Sequence, residues 1–159
     1  MKEVSINKDA KLSEHFSLAE LCKTSYITAD GNIPSRVAIE NLKNLCENWL
    51  EDLRYSYHTL YGERSQEIPL IITSGFRSEE VNRLCGGAKG SNHLTGCAVD
   101  IRCLGPEHMI RMAGILLDIA DGTKRDFDEI ILEKRGTTYW IHFAVRPKDN
   151  RRKILFDCR

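Results

Sequence analysis

The sequence predicts an α+β fold on three observations. Apolar residues recur at helical spacing from Ser35 to about Tyr61, and again from Pro106 to about Ala120. Two β-rich runs, Phe127 to Glu133 and Tyr139 to Val145, flank Arg135-Gly136-Thr137 and read as a hairpin. At 159 residues the chain can hold a core without disulfide staples, and the whole of 1–159 is expected to fold as one domain. Hydrophobic residues at 42% and charged residues at 29% are ordinary for a globular protein.

Each element has a local cause. Residues 1–12 carry no periodic pattern and are expected to be loosely ordered. Ser17-Leu18-Ala19-Glu20 is a capping box, so a helix of about two turns should follow and end before Asp30-Gly31-Asn32-Ile33-Pro34. In the long helix, Ala38, Leu42, Leu45, Trp49, Leu53 and Leu60 form one apolar stripe, and Gly62 ends it. Residues 68–74 read as a strand with Pro69 near its start, where a missing amide costs least. Gly75 turns the chain, Ser78 caps a short helix through Leu84, and Gly86-Gly87 stops it. A polar loop, Ala88 to Asn92, leads to a strand from Cys97 to Cys103. Pro106 opens the last helix, with Ile110, Ala113, Leu116, Leu117 and Ala120 on one face and Asp121-Gly122 at its end. Side chains alternate along a strand, so Ile130 and Leu132 should meet Ile141, Phe143 and Val145 in the core. Glu129, Ile131 and Glu133 then share the other face with Trp140 and His142. Ile154-Leu155-Phe156 is a short final strand.

Lys+Arg 23 against Asp+Glu 23 leaves no net field to recruit nucleic acid or anionic lipid. The basic cluster at 146–153 reads as a solvated tail. No stretch is long and apolar enough for membrane insertion, and Met1 to Lys8 lacks the apolar run of a signal peptide. A cytoplasmic monomer is expected. Six cysteines without a C-x-x-C pair are expected reduced, mostly as small buried hydrophobes. Outside the cell, a Cys97–Cys103 or Cys85–Cys97 bridge is the alternative.

Chemistry concentrates between Ser91 and Asp100. His93 and Asp100 flank Gly96 and small residues, and His142 lies far downstream. Two imidazoles and one carboxylate suit one catalytic Zn²⁺ with the fourth position left for water; Mn²⁺ or Fe²⁺ would accept the same donors. Water held there becomes acidic enough to attack a peptide carbonyl. Glu133, on the His142 face, is the first choice of general base, with Asp128 and Glu129 behind it. Arg77 suits a substrate carboxylate or a developing oxyanion. Ser91 and Trp140 are further candidates for substrate binding. His15, His58 and His108 lack a comparable frame and read as structural or exposed.

Ser91-x-His93-x-x-Gly96-x-Ala98-x-Asp100 resembles the signature of the zinc D-alanyl-D-alanine carboxypeptidase family. That family includes D-Ala-D-Ala dipeptidases and phage L-alanyl-D-glutamate endopeptidases, and shares a metal-site fold with the hedgehog signalling domain. His15 to Leu21, Asn41-Leu42, Ser74 to Ser78, Val81-Asn82 with Gly86-Gly87, and Trp140-Ile141-His142 follow in family-like order. The resemblance implies a compact α+β fold with a small antiparallel sheet flanked by helices. It also implies one Zn²⁺ on His93, Asp100 and His142, Arg77 as substrate stabiliser, and peptidoglycan stem peptide as the partner, cut as a carboxypeptidase or an endopeptidase. Two departures stand out. Many relatives place a Glu or Asp base three residues before the last histidine, where this chain has Tyr139. Either Glu133 supplies the base, or the chain is a catalytically inactive zinc-bearing module that binds cell wall or a partner protein. The wall also lies outside the cytoplasmic membrane, which a phage lysis enzyme released by a holin would reconcile.

Overall fold

Five strands form one sheet: β1 Ile72–Ser74, β2 Ala98–Cys103, β3 Glu129–Arg135, β4 Thr138–Ala144 and β5 Lys153–Cys158, in the spatial order β1-β2-β4-β3-β5. The computed structural model describes residues 6, 7, 9–62 and 68–158. Helices α1 Leu18–Leu21, α2 Arg36–Leu45, α3 Glu51–Tyr61, α4 Glu79–Leu84 and α5 Pro106–Thr123 complete the α+β architecture.

The β3–β4 hairpin turns at Gly136 and pairs Ile131 with His142 and Glu133 with Trp140, as the alternation requires. One sheet face carries Val99, Ile101, Ile130, Ile141 and Phe143, all buried under the helices. Trp49 meets Phe143 edge-on there, with ring centroids 5.2 Å apart. The opposite face carries Asp100 and His142 as a direct cross-strand pair.

The sheet is mixed rather than antiparallel, because β5 runs parallel to β3. After β4 the chain must return to the start of β3. Arg152 N–H donates to the Phe127 carbonyl and Lys153 N–H to that of Asp128, which starts β5 in the same direction as β3. The basic segment before β5 is no solvated tail, since Arg146 and Arg151 both reach the buried Asp128.

Several boundaries move for local reasons. The N-terminal helix is a single turn, capped by Ser17, because the Leu21 carbonyl accepts from Phe76 N–H at 2.7 Å instead of from a further turn. Of the expected loose N-terminus, residues 1–5 and 8 lie outside the described residues. Within the rest, Leu12 is buried and its N–H donates to the Phe16 carbonyl. The long helix contains a π turn, Cys46–Leu50, between α2 and α3. The apolar stripe holds through Leu53, but Tyr57 is the next buried residue and Leu60 is exposed. The strand expected over 68–74 shrinks to β1, whose register with β2 is irregular. Helix α5 continues through Asp121-Gly122 and buries Met109, Met112, Ile115 and Ile119, while Ile110 faces outward. All six cysteines are thiols, as expected, four of them buried, and neither alternative bridge forms. Among the described residues, no helix is long and apolar enough to cross a membrane.

Candidate metal centre

His93 sits on a 3₁₀ turn, Asn92–Thr95, that Ser91 caps by accepting from His93 N–H. Gly96 closes this turn at φ +72°, where a β-carbon would also lie 2.3 Å from the Ala38 carbonyl oxygen. The turn therefore packs directly on α2 and delivers a buried imidazole to the open face of the sheet. Asp100 and His142 arrive on the paired central strands β2 and β4.

The three side chains converge as the spacing suggested, and their donor atoms lie within 4.8 Å of one another. His93 Nε2 is 3.2 Å from His142 Nδ1 and 3.3 Å from Asp100 Oδ1, and His142 Nδ1 is 3.1 Å from the same oxygen. Donors around a tetrahedral zinc stand roughly 3.3 Å apart, from bonds of about 2.0 Å.

The remote nitrogens strengthen the fit. His93 Nδ1 lies 2.7 Å from the Gly75 carbonyl, which only accepts, so the ring proton sits there. His142 Nε2 lies 3.2 Å from Glu129 Oε2, again an acceptor. In neutral rings the facing nitrogens both bear lone pairs, aimed at each other and at a carboxylate. In the metal-free chain a proton on His142 Nδ1 satisfies this set, and with both ring protons on the remote nitrogens a divalent cation takes that proton's place.

Electrostatics follow. Burial favours a neutral Asp100, but His93 and His142 outweigh it and hold that carboxyl well below its usual range. Burial also opposes charge on His142, yet Asp100 and Glu129 raise its pKa to about 9 in the metal-free chain. Arg77 donates from Nη2 to Asp100 Oδ2 at 2.8 Å and from Nε to Ser74 at 2.9 Å. That fixes the second Asp100 oxygen and leaves Oδ1 to the centre.

A cleft of about 480 Å³ opens over these atoms, lined by Arg77, Ser91, Glu129, Glu133 and His142 among others. Burial, and then the nearby Asp100, push the Glu133 pKa up. Trp140 is half-buried beside Glu133 and does not line the cleft. Tyr139 stands on the opposite, core face. His15 pairs with Glu51 and His108 packs on Tyr57, both away from the centre.

A family model described as Peptidase M15 matches residues 14–121. The chain belongs to peptidase family M15. The match takes in His93 and Asp100, while Glu129, Glu133 and His142 lie beyond it and join this M15 peptidase's centre through the sheet register. Among solved structures, the L-Ala D-Glu endopeptidase ChiX of Serratia marcescens is similar, with a TM-score of 0.37 and 21% identity over 70% of this chain and 87% of that one. No curated protein sequence matches.

Glu129 was a secondary candidate for general base in the sequence. Its committed hydrogen bond to His142, with Arg151 alongside, holds its pKa below the usual range against burial. The sequence cue was its alternation with Glu133 on the His142 face.

Proposed function

We propose that this M15 chain is a zinc peptidase that hydrolyses a peptide bond in peptidoglycan stem peptides, with His93, Asp100 and His142 as the metal ligands. One observation carries the proposal: two ring nitrogens and a carboxylate oxygen converge at 3.1–3.3 Å, and each remote ring nitrogen has an acceptor to take its proton when the facing one binds metal. Zinc bound there supplies a Lewis acid and an acidified water.

Glu133 is the general base. It lines the cleft, burial raises its proton affinity, and among the described residues no arginine ties it down as Arg151 ties Asp128 and Glu129. It removes a proton from the attacking water and delivers it to the leaving amine. Arg77 lines the same cleft and offers the rest of its guanidinium to the scissile carbonyl oxygen or a substrate carboxylate. Ser91 lines the cleft and is placed to contact substrate, and Trp140 shares a small adjoining pocket with Glu133. The chain acts as a single peptidase domain over 1–159 and as a monomer.

A second reading rests on Tyr139, which points into the core and cannot act as base: a zinc-bearing module that binds wall or a partner without cleaving. Digestion of purified muropeptides decides between them, using wild type, wild type with chelator, and Glu133→Gln. The peptidase cleaves in a chelator-sensitive way, and Glu133→Gln keeps its zinc but loses cleavage. Zinc-loaded wild type that leaves several wall chemistries intact refutes the peptidase.

A further inference from the structure

Taking His142 as a metal ligand, as proposed above, we infer that Glu129 is its positioning residue and that Arg151 fastens Glu129. His142 stands between two carboxylates. Asp100 Oδ1 is 3.1 Å from Nδ1, and Glu129 Oε2 is 3.2 Å from Nε2. A neutral imidazole has one ring proton, and both carboxylates attract it. Only when that proton lies on the Glu129 side does Nδ1 present a lone pair to the centre. Without Glu129, the proton settles on Nδ1 toward Asp100 and blocks the donor, or the ring turns.

Glu129 is itself held. Arg151 Nη2 lies 3.0 Å from Glu129 Oε1, and the same guanidinium grips the fully buried Asp128 at 2.9 and 2.7 Å. The Arg151 backbone N–H also donates to Asp128, at 3.1 Å. Asn92 Nδ2 donates to Asp128 Oδ2 at 2.8 Å and to Glu129 Oε2 at 3.2 Å. Asn92 directly precedes His93 on the 3₁₀ turn. One polar clamp, closed by the segment between β4 and β5, thus sets the supports of two ligands. Every member except Asn92 lies outside the residues matched by the family model.

Zinc affinity, measured by competition with a fluorescent chelator, tests the clamp in wild type, Glu129→Ala, Glu129→Gln and Arg151→Lys. The visible spectrum of the Co²⁺-substituted proteins and the Tm of the metal-free proteins are read alongside. Glu129→Ala should bind zinc about 10- to 100-fold more weakly and also lower the metal-free Tm, since His142 and Arg151 lose a partner, so the Co²⁺ spectrum separates altered ligation from lost stability. Glu129→Gln keeps an acceptor oxygen but loses the charge, so its affinity falls between the two; it carries the test alone if Glu129→Ala does not fold. Arg151→Lys keeps the charge but loses the fork, and should shift the Co²⁺ spectrum and weaken zinc by a smaller factor. Glu129 variants within twofold of a zinc-binding wild type overturn the clamp and leave the metal site standing. A wild type that binds no zinc removes both.

Discussion

Zinc affinity should rise tenfold for each pH unit between pH 7 and 8 and level off above about pH 9. In the metal-free protein His142 has its pKa raised to about 9. At pH 7 its Nδ1 therefore carries a proton, and an ion must displace it. Asp100 is already ionised there and releases nothing. One proton released per ion gives a slope of one in log Kd against pH, or about 1.4 kcal/mol per unit. The sign in stability runs the other way. The raised pKa means that charged His142 stabilises the metal-free fold fully below the unfolded value of about 6.5. That contribution is lost as pH climbs through about 9. Chelator competition at pH 7.0, 7.5 and 8.0 reads the slope, taking about one unit of pH as the useful window. Calorimetry in two buffers of different ionisation enthalpy counts the protons. Equal affinity at both ends of that window, with no buffer dependence of the heat, would refute the assignment of His142 as ligand and of its proton as the occupant of the site.

Replacing Glu133 by Gln should lower hydrolysis about 10²- to 10⁴-fold while zinc affinity changes little, as kinetics beside a zinc titration will show. In wild type the acid limb of kcat/KM should sit above the ordinary glutamate value, since burial raises the Glu133 pKa. Trp49→Ala removes a buried ring that meets Phe143 and should cost about 3–5 kcal/mol in denaturant unfolding. Gly96→Ala forces a side chain at φ +72° against the Ala38 carbonyl, so it should lower the Tm and also weaken zinc binding through His93. Arg77→Ala frees the outer oxygen of Asp100 and should weaken zinc several-fold, read by the same competition.

The convergence of His93, Asp100 and His142 was legible because each position follows from a strong local rule. Strand alternation put His142, Glu129 and Glu133 on one face, and the β2 pattern put Asp100 where the observed register brings it opposite His142. The core faces of the hairpin were legible for the same reason. What the sequence hid was set by distant partners. A one-turn α1 follows from an amide of Phe76, far along the chain, capturing the Leu21 carbonyl. The π turn adds a residue between α2 and α3, and no composition signal marks it; Leu60, near the end of α3, is exposed while Tyr57 one turn earlier is buried. Arg146 and Arg151 looked like solvated charge because a buried Asp128 partner is visible only once β5 folds back beside β3. Arg77 was read as facing substrate. Its grip on Asp100 depends on how closely β1 and β2 approach, which a linear pattern does not encode.

Asp100 and His142 occupy directly opposed positions on neighbouring strands. A slip of one residue between β2 and β4 would send one of the two through the sheet to the far side. An ion gripped by both is therefore a reporter of correct strand alignment, and misaligned chains would be left without it. During refolding, added zinc should drain the misregistered population toward the native one, so that yield as well as stability depends on the metal being present while the sheet zips together.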